Sequence, residues 1–156
     1  MSADRDASRL HVPVLLNECL DMLAPAIEAP GAILIDATLG MGGHTEAALK
    51  RFPQLTVFGI DRDPAAIELA SARLAPFGSR FRAFHTTYDK MDEVAAQAPS
   101  GMVDGILMDL GVSSLQLDEE ERGFSYAHDA PLDMRMNPTV GVSAAQLLAS
   151  ASKEEI

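Results

Sequence analysis

Hydrophobic residues recur at two different spacings along the first two thirds of the chain. Residues 15–23 place leucines three and four positions apart, which predicts a helix, and Pro25 together with the stretch 28–31 is expected to end it. Short apolar runs further along predict buried strands, and the segments between them have helical spacing. The predicted strands are 32–36, 55–60, 81–84 and 102–109, and the predicted helices between them are 45–52, 65–74 and 91–97.

Strands that alternate with helices at this spacing predict right-handed crossovers and a doubly wound parallel sheet, so the predicted fold class is α/β. Pro64, directly after Asp63, is a favourable helix start because proline fits the first helical turn. The regular alternation ends after Asp109. Residues 142–156 are expected to begin a helix that is cut short at the last residue.

The composition favours a folded domain and argues against a membrane-spanning, secreted or disulfide-linked protein. The 156 residues are 47% hydrophobic and 22% charged, which predicts a folded domain with a real core. No apolar run approaches the roughly 20 residues that span a bilayer, and residues 1–9 are too polar for a secretory signal. The single cysteine, Cys19, allows neither an internal disulfide nor a cysteine-rich metal site. A soluble, cytoplasmic protein without a metal is therefore expected.

The charge balance argues against a self-sufficient nucleic-acid binder. The chain has 23 acidic and 12 basic side chains and a net charge of -11, whereas such binders are usually basic. The charge is unevenly spread. Residues 50–82 hold six basic and three acidic side chains, a balance of +3, and residues 89–121 hold one basic and nine acidic, a balance of -8. Recognition of a nucleic acid would therefore need a local basic face, a further domain or a preformed partner surface.

Residues that could bind a ligand follow the predicted strands. In an open parallel sheet, ligands bind beyond the carboxyl ends of the strands. The first strand is followed by the glycine-rich residues 36–44, the second ends at Asp61, and the fourth ends at Asp109. Glycine lets a ligand approach the backbone closely, and an acid after the second strand can accept hydrogen bonds from both hydroxyls of a ribose. These features predict a nucleoside-binding cleft.

Two cofactor classes fit such a cleft. The dinucleotide turn reads Gly-x-Gly-x-x-Gly, but Thr45 stands at its third glycine, which counts against a nicotinamide oxidoreductase. The S-adenosylmethionine turn reads acid-x-Gly-x-Gly-x-Gly, and residues 36–42 match it except at Thr38. The sulfonium of that cofactor is cationic, so an acidic cleft favours it. A catalytically inactive nucleotide-binding or assembly module is the non-enzyme alternative.

Several motifs together resemble one known family, the bacterial ribosomal RNA small subunit methyltransferase H family. The resemblance runs from about His11 to the last residue, and the motifs at 109–114 and 131–136 are far more specific than a glycine turn. It implies a class I S-adenosylmethionine-dependent methyltransferase, Rossmann-like in fold, that methylates the exocyclic N4 of a cytidine in 16S ribosomal RNA near the decoding centre. The motifs that carry it are residues 11–18, 36–44, 60–64, 109–118, 122–125 and 131–136.

The resemblance also implies roles for single residues. Tyr88 stands where the family usually has phenylalanine, so the ring is retained. Ser113 and Gln116 fit a capping box, which gives Gln116 an alternative structural role, and Asp36 is expected to accept backbone hydrogen bonds. No catalytic residue is assigned. The cofactor contacts implied by the resemblance are Gly42, Gly43, His44, Asp61, Tyr88, Asp109 and Gln116.

Three segments are predicted along the chain. Residues 1–10 are expected to form a flexible arm, 11–136 the N-terminal part of a methyltransferase core, and 137–156 the start of an inserted helical substrate domain. Family members continue with that domain and with the closing strands of the sheet, so the chain is interpreted as an N-terminal portion. The implied partner is 16S ribosomal RNA within the small subunit. Arg122 and Arg135 either bind its phosphates or pair with neighbouring acids.

Overall fold

The computed structural model describes residues 13–156, so the predicted arm at residues 1–10 lies outside the described residues. The described chain forms two compact units that divide between Leu110 and Gly111. The first unit contains a four-stranded sheet, and the second contains short helices joined by loops. The assignment of residues 137–156 to an inserted substrate domain stays a prediction.

The sheet of the first unit is parallel throughout, with the strand order β3-β2-β1-β4. In the centre, Ile35 of β1 pairs with Phe58 on one side and Ile106 on the other. All four residues of β1 are buried, as expected for a strand covered on both faces. The strands are β1 Ile33–Asp36, β2 Thr56–Asp61, β3 Phe81–His85 and β4 Gly105–Leu107.

Four helices accompany these strands, and their order confirms the predicted alternation. Helix α3 begins at Pro64, and Asp63 caps it by accepting a hydrogen bond from the Ala65 N–H at 3.0 Å. Short 3₁₀ turns follow α3 at Ala75–Arg80 and follow β3 at Tyr88–Lys90. The helices are α1 Leu16–Ile27, α2 Gly43–Arg51, α3 Pro64–Leu74 and α4 Met91–Ala95.

The sheet buries apolar side chains on both of its faces. Helices α1, α2 and α3 pack on one face and α4 packs on the other, which confirms the doubly wound arrangement. The first face includes Leu20, Leu34, Leu49, Val57 and Leu74. The second face includes Ile35, Phe58, Ile60 and Val94.

Helix α1 differs from its prediction at both ends. Leu15 precedes the helix with a left-handed backbone, φ +51°, and is 63% exposed instead of lying on the buried side. Pro25 itself does not end the helix, which continues to Ile27 and stops at the predicted stretch 28–31. Proline removes the bond to the carbonyl four residues earlier, and its ring crowds that carbonyl. That residue, Asp21, is exposed, and water can hydrate its carbonyl.

Strand β4 is shorter than the predicted 102–109. Before the strand, the Asp104 side chain accepts a hydrogen bond from the Ile33 N–H at 2.7 Å. After it, the Asp109 N–H donates to the Thr38 hydroxyl at 2.7 Å. At each end of the strand one backbone N–H is therefore satisfied by a side-chain acceptor, and the regular ladder does not continue.

The second unit contains helices α5 Ser114–Asp118 and α6 Ala144–Ser150 and a 3₁₀ turn at Glu120–Arg122. The predicted helix over 142–156 ends early, because the Ser150 hydroxyl bonds back to the Gln146 carbonyl at 3.0 Å and Ala151 is extended. None of the helices in residues 13–156 is long and apolar enough to cross a membrane.

Candidate functional site

A tight glycine loop connects β1 to α2. Gly40 and Gly42 have φ values of +51° and +77°, a backbone region that glycine occupies without strain. The Gly42 N–H donates to the Leu39 carbonyl at 2.8 Å, and the Leu39 N–H donates to the Ile60 carbonyl of β2 at 2.9 Å. A Cβ on Gly42 would lie 2.9 Å from Leu74 Cδ1. The loop is therefore fixed to β2 and packed closely on α3.

Asp61 joins the end of β2 to this loop. Its Oδ2 accepts a hydrogen bond from the Gly40 N–H at 2.8 Å, and its Oδ1 accepts one from the Asp63 N–H at 2.9 Å. Burial raises the pKa of Asp61, although backbone hydrogen bonds from Asp63, Gly40 and Arg62 oppose the shift. A carboxylate offers about four acceptor positions, so these three bonds leave room for a hydrogen bond from a ligand. The predicted ribose acid and the predicted glycine loop are thus in direct contact.

Asp36, at the end of β1, is a structural acid, as expected. It is buried, accepts a hydrogen bond from the Thr38 N–H at 3.2 Å, and accepts another from the Thr45 hydroxyl at 2.7 Å. Burial raises the pKa of Asp36, and the bonds from the two threonines oppose that shift. Thr45 is completely buried, so the residue at the third glycine position of the dinucleotide turn is used to satisfy this carboxylate.

Asp109 and His44 lie together at the same edge of the sheet. The Asp109 Oδ2 is 4.0 Å from the His44 Nδ1, and the Asp109 side chain is 49% exposed. The other ring nitrogen of His44, Nε2, lies 3.2 Å from the Val14 carbonyl. Because a carbonyl only accepts, this bond requires the proton on Nε2. The ring therefore binds residue 14, and Gly42, not His44, is the N-cap of α2.

The Thr38 hydroxyl explains the departure from the glycine pattern at that position. It accepts a hydrogen bond from the Asp109 N–H, which connects the segment after β4 to the loop after β1. A glycine could not form this bond. Gly43 is also constrained, because a Cβ there would lie 2.6 Å from Pro13 Cγ.

Two of the expected cofactor contacts, Tyr88 and Gln116, belong to later segments of the chain than the glycine loop and Asp61. Tyr88 begins the 3₁₀ turn after β3 and is 45% exposed. Gln116 belongs to the second unit, where it is buried and its Oε1 accepts a hydrogen bond from the Ser113 N–H at 2.8 Å. That bond is one half of the capping box expected from the sequence. The cofactor role of Gln116 stays a prediction.

The two arginines of the second unit pair with acids, one of the two interpretations left open by the sequence. Arg122 contacts Glu119 at 3.0 Å and donates to the Met136 carbonyl at 2.8 Å. Arg135 donates to both oxygens of Asp133, from Nε to Oδ1 at 2.9 Å and from Nη2 to Oδ2 at 2.7 Å. This fork lowers the pKa of Asp133 to about 2. These contacts organise the loop that carries the 131–136 motif.

Sequence reasoning missed two charged residues beside the loop, Glu46 of α2 and Arg73 of α3. The Arg73 Nε donates to the Glu46 Oε2 at 2.7 Å. The two residues are 27 positions apart, on different helices. No local spacing links them, so only the packing of α2 against α3 reveals the pair.

The sheet order, the glycine loop after β1 and the acids at the strand ends define a class I methyltransferase fold. The chain is similar to the crystal structure of an rRNA methylase from Streptococcus thermophilus, with a TM-score of 0.50 and 22% identity. The likeness covers 72% of this chain and 64% of that chain, and it supports the fold alone.

The sequence matches the MraW methylase family over residues 8–156, and the chain belongs to that family. A relative from Beutenbergia cavernae, named ribosomal RNA small subunit methyltransferase H, is 60% identical over 98% of this chain and 46% of its own length. One of the same name from Kocuria rhizophila is 62% identical over 88% of this chain and 42% of its own length. The chain thus spans about half the length of the curated relatives it matches. The family resemblance seen in the sequence is confirmed.

Proposed function

We propose that this chain supplies the S-adenosylmethionine-binding part of an enzyme that methylates the exocyclic N4 of a cytidine in 16S ribosomal RNA, near the decoding centre. Membership of the MraW methylase family and the names of the relatives support this proposal. The observation that carries it is the 2.8 Å hydrogen bond from Gly40 to Asp61, which joins a glycine loop to the acid at the end of β2.

The residues present fit the chemistry of this cofactor. Asp61 retains acceptor capacity for a ribose hydroxyl. The Cβ position of Gly40 has only the Thr38 carbonyl within 4 Å, at 3.9 Å, so a ligand can approach the backbone there. The half-exposed Asp109 carboxylate favours a cationic sulfur. The other proposed contacts are Gly42, Gly43, His44, Tyr88 and Gln116.

The chain's own contribution to the reaction is binding and orientation. When bound, S-adenosylmethionine supplies an electrophilic methyl group. The cytidine amine is a poor nucleophile because its lone pair delocalises into the ring. Rate enhancement therefore depends on alignment and on preorganised charge around the acceptor. The target base must also leave its surroundings to reach the cofactor.

The structure argues against the nicotinamide alternative. The dinucleotide turn needs a third glycine so that the helix packs closely on the strand. Thr45 occupies that position and is held by its bond to Asp36. Titration with NAD and with S-adenosylhomocysteine separates the two classes, and binding of NAD alone would contradict the proposal.

Calorimetry with S-adenosylhomocysteine on wild type and Asp61→Asn tests the ribose assignment. Asparagine keeps the shape but puts an NH₂ donor in place of one oxygen, which removes an acceptor for the ribose and one of the two backbone hydrogen bonds. Affinity should therefore fall at least about 10- to 100-fold, the value of hydrogen bonds to a charged group. The affinity of wild type should also fall as the pH drops through the raised pKa of Asp61, because protonation removes an acceptor site. Asp21→Asn, an exposed acid on α1, is the control. Equal affinity in wild type and Asp61→Asn would refute the assignment.

Transfer of a labelled methyl group to unmethylated small ribosomal subunits tests the substrate. The chain should be compared with a version extended to the full length of its relatives. We expect label on the N4 of one 16S cytidine with the extended version. Label on another base or atom would contradict the proposed substrate.

A further inference from the structure

A largely buried ion pair connects α2 and α3 beside the glycine loop. Glu46 lies in the first turn of α2, and Arg73 lies in the last turn of α3. Their side chains are only 18% and 13% exposed. The Glu46 Oε2 is contacted by the Arg73 Nε at 2.7 Å and by its Nη2 at 2.5 Å. Each charge also complements the dipole at its own helix end.

The same guanidinium reaches the main chain of the loop. Its Nη1 donates to the Met41 carbonyl at 3.4 Å, and it lies 3.9 Å from the position of a Cβ on Gly43. The neighbouring Gly42 packs on the same turn of α3, where its Cβ position is 2.9 Å from Leu74. The last turn of α3 therefore supports the loop through packing at Gly42 and through Arg73 at Met41.

The chemistry of the pair makes arginine hard to replace. Burial alone would raise the pKa of Glu46, but hydrogen bonds from Lys50 and Arg73 outweigh it and lower the pKa, so this carboxylate is ionised. Arginine offers several donors in one plane, which lets it hold a carboxylate and a carbonyl at once. Lysine keeps the charge but lacks this fork.

We infer that Arg73 is a positioning residue: anchored by Glu46, it holds the Met41 carbonyl and thereby fixes the shape of the loop that receives the cofactor. The inference rests on the proposed cofactor site. A loop fixed before binding needs no ordering when the ligand arrives, so loss of the anchor should weaken affinity.

Four variants separate positioning from simple charge neutralisation. Arg73→Met removes the anchor, and Arg73→Lys retains the charge without the fork. Lys50→Met is the matched control, because Lys50 contacts the other oxygen of the same glutamate at 2.5 Å while its side chain is 64% exposed. Glu46→Gln tests the pair from the other side if Arg73→Met does not fold.

Calorimetry with S-adenosylhomocysteine is performed at a temperature where circular dichroism shows every variant folded. We expect affinity to fall about tenfold in Arg73→Met and Glu46→Gln and less in Arg73→Lys, since small misplacements of a binding group are costly. Lys50→Met should stay within about twofold of wild type, as most surface substitutions do. Wild-type affinity in Arg73→Met, or an equal loss in Lys50→Met, would overturn the inference.

Amide ¹H–¹⁵N shifts of residues 41–43 in the ligand-free protein provide an independent readout. They should change in Arg73→Met, return toward wild type in Arg73→Lys, and stay unchanged in Lys50→Met. If wild type binds no S-adenosylhomocysteine, the proposed function fails, and the loop shifts still decide the inference. Unchanged shifts in Arg73→Met would then overturn it.

Discussion

Replacement of Thr45 by valine tests how the buried acid of β1 is stabilised. Thr45 is fully buried, and its hydroxyl donates to Asp36 Oδ2 at 2.7 Å. Valine has nearly the same shape and no hydroxyl, so the substitution removes this bond with little change in volume. Asp36 is itself buried, and the oxygen left behind has little access to water.

The expected cost follows from the charge on the acceptor. A hydrogen bond to a charged group contributes about 1.5–3 kcal/mol. For a chain of this size, such a loss lowers the melting temperature by about 3–12 °C. Thr45→Ser is the control, because it keeps the hydroxyl and loses only a buried methyl, at a cost of about 1 kcal/mol.

The pH dependence separates the two variants. The pKa of Asp36 in the folded chain is raised above the ordinary 3.8, so its stabilising contribution is complete below that pH and is lost as the pH rises through the folded pKa. Loss of the Thr45 bond raises the folded pKa further. The deficit of Thr45→Val should therefore grow with pH.

Urea unfolding at several pH values, from about 4 to 8, measures this deficit. The deficit of Thr45→Ser should change little over the same range, because its hydroxyl still bonds the carboxylate. A Thr45→Val deficit that is constant with pH and equal to that of Thr45→Ser would refute the reasoning.

Two further predictions concern the loop and the second unit. Gly42→Ala should lose about 2–4 kcal/mol in urea unfolding, from its φ of +77° and its contact with Leu74. Gly31→Ala, with φ +82° and nothing within 4 Å, should lose about 1 kcal/mol. Equal losses would contradict the packing argument. In carbon-detected NMR titrations, Arg135→Gln should move the pKa of Asp133 from about 2 toward 3.8. In wild type, the ionised Asp133 contributes stability that is lost as the pH falls toward 2, and the variant should lack this contribution. An unchanged pKa would show that Arg135 is not the cause.

The central part of the fold could be predicted because its signals are local. The runs that form β1 and β2 are almost entirely apolar, and their central residues are buried. The start of α3 was predicted correctly because two neighbouring residues specify it: Asp63 caps the helix, and Pro64 fits its first turn. The order β3-β2-β1-β4 agrees with the expected doubly wound sheet.

The errors arose where distant groups or solvent decide the outcome. Pro25 is tolerated because the carbonyl it leaves unbonded belongs to an exposed residue. Strand β4 ends early because Thr38, 71 residues away, provides the acceptor for Asp109. Helix α6 ends at Ser150 through a side-chain bond to its own backbone.

The candidate site was only partly readable from the sequence. Strand-end position identified Asp61 and Asp109, and the glycine pattern identified the loop. The contacts between these residues, such as the hydrogen bond from the Gly40 N–H to Asp61, depend on how the loop folds back over β2. The Glu46–Arg73 pair depends on the packing of two helices, which no spacing in the sequence encodes.

Titration of the ¹⁵N-labelled chain with S-adenosylhomocysteine tests the central claim most directly. If the loop and the strand-end acids hold the cofactor, the amides of Gly40, Asp61 and Asp109 should shift together and saturate at one dissociation constant. No saturable shift, or saturable shifts confined to residues outside the glycine loop and the ends of β2 and β4, would contradict the account.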